Sequence, residues 1–172
     1  MARTFYRIVR HNPPTREDFL SNAAMYPHVR VIPSLESQWS GLSMFDSREQ
    51  TARAAALLPV RGLSIAELAL PEEQIASGSF TVLGEPTPDD TADLVSIDAV
   101  PEVYELWDFG SANLLAAYDT EVDALADVYA MIALNEENVT GTWLLARTAG
   151  KESTPVAVGA ALAERAIERN NR

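Results

Sequence analysis

The chain contains no cysteine. No disulfide can form, and no thiolate is present to serve as nucleophile or zinc ligand. Histidine is scarce as well: His11 and His28 are the only two. They fit no H-E-x-x-H spacing, and no carboxylate-rich calcium loop occurs, so no metal is expected. No apolar run approaches the roughly 20 residues needed to span a bilayer. Residues 1–7 lack the apolar core of a signal peptide. The expectation is a cytoplasmic protein without a membrane partner. There is no glycine-rich phosphate loop and no G-x-S-x-G elbow, which argues against an ordinary nucleotide-fold dehydrogenase, an NTPase or an α/β-hydrolase. A serine–histidine–acid triad would need His11 or His28 as base. Both lie in expected loops, and no serine stands out beside them.

Apolar residues make up 47% of the 172 positions, enough for a packed core in one medium domain or two small ones. The net charge is −12, from 13 basic and 25 acidic residues. That excess argues against general binding to a nucleic-acid backbone. The charge is uneven. Arg3, Arg7, Arg10, Arg16 and Arg30 outnumber Glu17 and Asp18 in residues 1–34. Acids dominate residues 101–172. The first region suits a small anionic ligand; the second suits a basic protein surface.

The stretch Trp39-Ser-Gly-Leu-Ser-Met-Phe-Asp-Ser47 reads as a strand running into a helix, with Ser47 as cap and Gln50 completing a capping box. Before it, residues 4–10 read as a strand stopped by Asn12-Pro13-Pro14. Thr15 caps a helix ending near Met25, with Phe19 and Ala23 toward the core. Residues 26–38 show no period and read as a loop, long for a compact domain. After it come a helix over 48–58 and a strand over 63–71. Residues 72–92 are acidic and turn-rich, with a short strand near Phe80, Val82 and Leu83, and 91–100 reads as another strand. Pro101 marks the best boundary. Beyond it, strands over 103–107 and 114–118 flank a turn in which Gly110 and Asn113 suit left-handed positions. A helix follows Thr120, with Val122, Leu125, Val128, Tyr129 and Ile132 on its apolar face. A strand over 142–148, a return over 155–158 and a helix over 160–170 complete the chain. The class is α+β: residues 1–100 form a mixed α/β module with irregular loops, and 101–172 a small ββαββα module.

Three polar side chains fall on three strands of the first module: Arg7, Ser43 and Glu67. An arginine can hold a pyrophosphate through paired charged hydrogen bonds. A serine can fix a ribose hydroxyl. A glutamate can stabilise the positive charge that develops as a glycosidic bond breaks. Tyr6 and Asn22 lie in reach of the same cleft. This pattern resembles the ADP-ribosyltransferase fold over residues 4–100. The resemblance implies an NAD-binding or NAD-cleaving, toxin-like protein with NAD as co-substrate. Arg7 would match that family's arginine, Ser43 with Phe45 its serine and aromatic neighbour, and Glu67 its glutamate. The departures are Met44 and Phe45 within the serine motif and Ile65 two residues before Glu67; Glu85 is a spare candidate. For residues 101–172 no family is apparent.

The same residues admit a structural reading. Arg7 can be a salt-bridged strand arginine, and Glu67, if buried, can pair with it or with Arg61. The alternative function is then a non-catalytic two-module protein that binds a basic partner or forms a homodimer through residues 101–172.

Overall fold

The computed structural model describes residues 2–72, 81–83 (backbone only), 102–135 and 139–171. The first strand, β1 (Ala2–Val9), runs through the middle of a four-stranded sheet. It pairs antiparallel with β2 (Ser43–Phe45) and β3 (Ser64–Pro71); β4 (Thr81–Leu83) adds in parallel beyond β2, giving the order β3-β1-β2-β4. Phe5, Arg7, Ile8 and Val9 are all buried, as befits a strand with neighbours on both edges. The strand expected over 91–100 and the residue Glu85 lie outside the described residues.

The second sheet has the order β6-β5-β7-β8, all antiparallel: β5 (Glu102–Asp108), β6 (Asn113–Tyr118), β7 (Trp143–Ala149) and β8 (Glu152–Val158). Two helices complete the ββαββα module, here numbered α4 (Glu121–Leu134) and α5 (Gly159–Asn170). The α+β class with two modules is as expected.

Both faces of the second sheet carry buried side chains, and the alternation along its strands shows how. Leu106, Leu115, Trp143 and Leu145 face Ala124, Leu125, Val128 and Met131 of α4 and Leu162 and Ala166 of α5. Trp107, Leu114, Leu144 and Ala146 face the other way, onto Ile8, Phe45, Ala54 and Leu58 of the first module. The Phe45 and Trp107 rings stack with centroids 6.2 Å apart. Ala54 lies on α3 (Arg48–Leu57), which Ser47 caps by accepting from the Gln50 N–H.

The first module also reaches round to the helical side. A helix, α2 (Pro33–Trp39), places Leu35 and Trp39 in the core beside Trp143. The sequence pattern predicts a loop over residues 26–38 and a strand from Trp39; the structure has a helix there instead. Its seven residues present only one buried i, i+4 pair, too few for a period. Pro33 stands at its first position, where a missing N–H costs nothing. Polar contacts hold this segment down. Arg30 N–H donates to Asn135 Oδ1 (2.8 Å), Asn135 Nδ2 donates back to Arg30 O (2.9 Å), and Ser34 Oγ donates to Asp127 Oδ2 (2.8 Å).

Three local expectations need correction. The helix over 15–25 is two pieces: a 3-10 turn (Arg16–Phe19) with the Thr15/Asp18 capping box, and α1 (Asn22–Met25), capped separately by Ser21. The left-handed residue of the β5–β6 turn is Ala112 (φ 56°), while Asn113 belongs to β6. Val122 is 47% exposed, and Ala124 and Met131 take the buried positions instead. Among the described residues no helix is long and apolar enough to cross a membrane.

The shared core sets an expectation for the boundary at Pro101. Residues 102–172 alone would expose Trp107, Leu114 and Leu144, each contributing about 1.5–3 kcal/mol by burial. Such a fragment should lose cooperative melting and near-UV circular dichroism. A fragment with dispersed amide signals and a sharp transition would show that the second module stands alone.

Candidate functional site

The site begins with Arg7, whose side chain has no exposed surface. Its Nε donates to Asp18 O (2.6 Å), Nη1 to Ser43 O (2.8 Å) and Asn113 Oδ1 (3.0 Å), and Nη2 to Ser111 O (3.2 Å). A guanidinium has five N–H groups, so four are in use. Burial lowers the Arg7 pKa to about 10, with the Asp18 charge opposing that shift. Arg7 therefore remains a cation at neutral pH.

The acceptors come from both modules. The strand β5 ends in Asp108, the turn to β6 contributes Gly110 and Ser111, and β6 begins with Asn113. Asp108, Asn113 and Asn22 are fully buried, and Ser111 is nearly so. Asn22 Nδ2 donates to Asp108 Oδ2 (2.7 Å), and Asn113 Nδ2 donates to Asn22 Oδ1 (2.8 Å). Ser111 Oγ lies 2.8 Å from both Asn22 Oδ1 and Asp108 Oδ2 and can donate to either. Ser43 joins through its N–H, which donates to Asn113 Oδ1 (3.0 Å), and its Oγ, which accepts from Leu114 N–H (2.8 Å). No described buried side-chain nitrogen or oxygen lacks a partner. Gly110 is required here: a Cβ would lie 2.6 Å from the Tyr26 hydroxyl and 2.8 Å from Asp108 Oδ1. The Tyr26 hydroxyl has its pKa raised by burial and next by the Asp108 charge.

Asp18 anchors the outer edge. Its Oδ1 accepts from Arg10 N–H (2.7 Å), and its Oδ2 from Thr15 N–H (2.8 Å), with His11 Nδ1 3.0 Å away. Burial by itself raises the Asp18 pKa. The two backbone N–H groups and the His11 ring outweigh it and bring the value down to about 2. A cavity of about 210 Å³ opens beside this group, lined by Ile8, Arg10, His11, Glu17, Asp18, Met25 and residues 110–112.

Of the residues singled out from sequence, Arg7, Ser43 and Asn22 come together in this network. Tyr6 and Phe45 pair across β1 and β2, in the core facing Trp107. Glu67 does not join them. It is exposed on the edge strand β3 rather than buried among apolar neighbours. It pairs with Tyr6, whereas Arg7 pairs with Ala66, so the Arg7 and Glu67 side chains leave opposite faces of the sheet. Asp18, Asp108, Ser111 and Asn113 were missed. The signal for the last three is the spacing of Asp108, Ser111 and Asn113 around Gly110, directly after the strand Val103–Trp107. No group of three or more His, Cys, Asp or Glu that could hold a metal occurs among the described residues.

Comparison with known proteins returns no match: no family model, no curated protein and no solved structure is similar to this chain.

Two outcomes are expected from the network. Replacing Arg7 with methionine removes its donors from the backbone oxygens of Asp18, Ser43 and Ser111, leaves Asn113 Oδ1 only the Ser43 N–H, and should lower unfolding free energy by about 3–5 kcal/mol in urea titration. Asp18 has a folded pKa below its unfolded value. Its contribution is therefore present above pH 4 or so and lost as pH falls toward about 2. The shift from 3.8 to about 2 corresponds to about 2 kcal/mol. An Asp18→Asn variant should show correspondingly less loss of stability across that window.

Proposed function

We propose that the chain is a non-catalytic binding protein in which the first module braces the second, and the acidic second module meets a basic protein partner. The observation that carries this reading is the commitment of Arg7. A pyrophosphate would need at least two of its N–H groups, and four already bond to the protein. Phe45 is likewise taken up by Trp107. On the outer side of the second module, Asp123, Glu164 and Glu168 are exposed, with the apolar Val122 and Ile167 among them. Arg165, paired with Glu121, and Arg169 share this face, where acids still outnumber bases. A rim with that acidic excess around apolar side chains suits a basic segment carrying an apolar anchor. Self-association would set two chains of net charge −12 against each other, which disfavours the homodimer at low salt.

One observation favours a second reading, the ADP-ribosyltransferase-like use of NAD. Arg7 Nη1 and Ser43 O are 2.8 Å apart, so two members of the three-residue set are adjacent. That reading requires residues 109–113 to withdraw from Arg7, and a carboxylate other than Glu67 to approach it.

Calorimetry with NAD separates the two. No heat at millimolar NAD and no release of nicotinamide are expected. Saturable heat, or turnover, would overturn the non-catalytic reading. Titrating isotope-labelled protein with an arginine-rich peptide carrying one leucine should shift amide signals on α4 and α5. Shifts scattered evenly over the acidic surface would remove the partner from that face.

A further inference from the structure

Asn113 Oδ1 uses both of its lone pairs on donors from the first module. It accepts from the buried guanidinium of Arg7 at 3.0 Å and from the Ser43 N–H at 3.0 Å. Paired donors of this kind, one cationic and one from the backbone, are the usual means of holding a carboxylate or phosphate oxygen. Among the described residues, every hydrogen bond from Arg7 goes to a neutral oxygen, although the charge is fully buried. A buried cation is ordinarily hydrogen-bonded to an anion. The turn that delivers Asn113 carries strain, because Ala112 is a buried non-glycine residue at φ 56°. Residues 110–112 of that turn also wall the cavity beside Arg10 and His11, so open space lies on the outer side of the turn.

We propose that Arg7 and Ser43 form a seat for an oxygen of a small oxyanion, and that the second module fills this seat in cis with the Asn113 carboxamide. The seat is a property of the first module and stands whether or not NAD is a ligand. Any phosphate or carboxylate that reaches Arg7 does so in competition with Asn113, which makes the second module a built-in competitor for the site. Asn113 is held in that role from behind, by its Nδ2 donating to Asn22 Oδ1.

The test is chemical rescue in the full chain. Replacing Asn113 with glycine removes the carboxamide and leaves a space that formate can enter. Melting is followed in sodium formate up to about 100 mM, against sodium chloride at equal ionic strength, since binding to the folded state alone raises the midpoint with ligand concentration. The Asn113→Gly variant should gain several degrees, saturably, in formate and not in chloride. The wild-type chain should gain nothing specific. Adding Arg7→Met to the variant should abolish the gain. If the glycine variant is unfolded without formate, recovery of near-UV circular dichroism on adding formate is the equivalent result. Equal effects of formate on wild type and variant, or no effect and no recovery at the highest concentration, would overturn the proposal.

Discussion

A guanidinium with no exposed surface has to be matched donor by donor. Arg7 is matched by oxygens from four places along the chain: Asp18, Ser43, Ser111 and Asn113. Two of these belong to the first module, one to the turn between β5 and β6, and one to the first residue of β6. Most of what is unusual in the structure follows from that arrangement. The turn cannot shift without stranding a buried charge, and desolvating an ion costs several kcal/mol when its partners are lost. Asp108, Asn22 and Ser111 then hold the turn in place from behind, and Gly110 allows Tyr26 to approach.

The polar node sits beside an apolar contact between the same two modules. The second sheet packs on both faces: its helices cover one side, and Ile8, Phe45 and α3 lie against the other. The segment carrying α2 crosses to the helical side as well, fastened by Asn135 and Asp127. The modules are thus distinct in topology, each with its own sheet, and joined in packing. Hydrophobic burial supplies the larger part of that join, since it scales with area. The hydrogen bonds supply its register, because each buried donor accepts only one geometry.

This arrangement changes how the first module's arginine and serine are read. Strand residues of these types suggest a ligand site when considered apart from the rest of the chain. Once the second module is in place, they are interior groups. The groups left facing solvent near them are Arg10, His11 and Glu17, around a small cavity. The exposed side chains of α4 and α5 carry both signs of charge, acids in excess, with isolated apolar side chains among them. Chemistry that requires Arg7 must first move Asn113; chemistry at the acidic face need not.

The local sequence determined a good deal. The runs around Leu106-Trp107, Leu114-Leu115 and Leu144-Leu145 specify strands, and Ser47 and Thr120 mark helix starts through side chains that accept backbone N–H groups. The alternation of Trp143 and Leu145 against Leu144 and Ala146 even divides the two cores correctly. These signals are legible because they act over a few neighbouring residues. The partners of Arg7 were not legible. Ser111 and Asn113 lie more than a hundred positions away, and no periodicity links them to it. Glu67 shows the same limit from the other side: its place in an apolar strand suggested burial, but an edge position and the pairing with Tyr6 turned it to solvent. Whether a polar side chain meets a ligand, solvent or another part of its own chain is decided by which surfaces fold together. Only the tertiary structure holds that information.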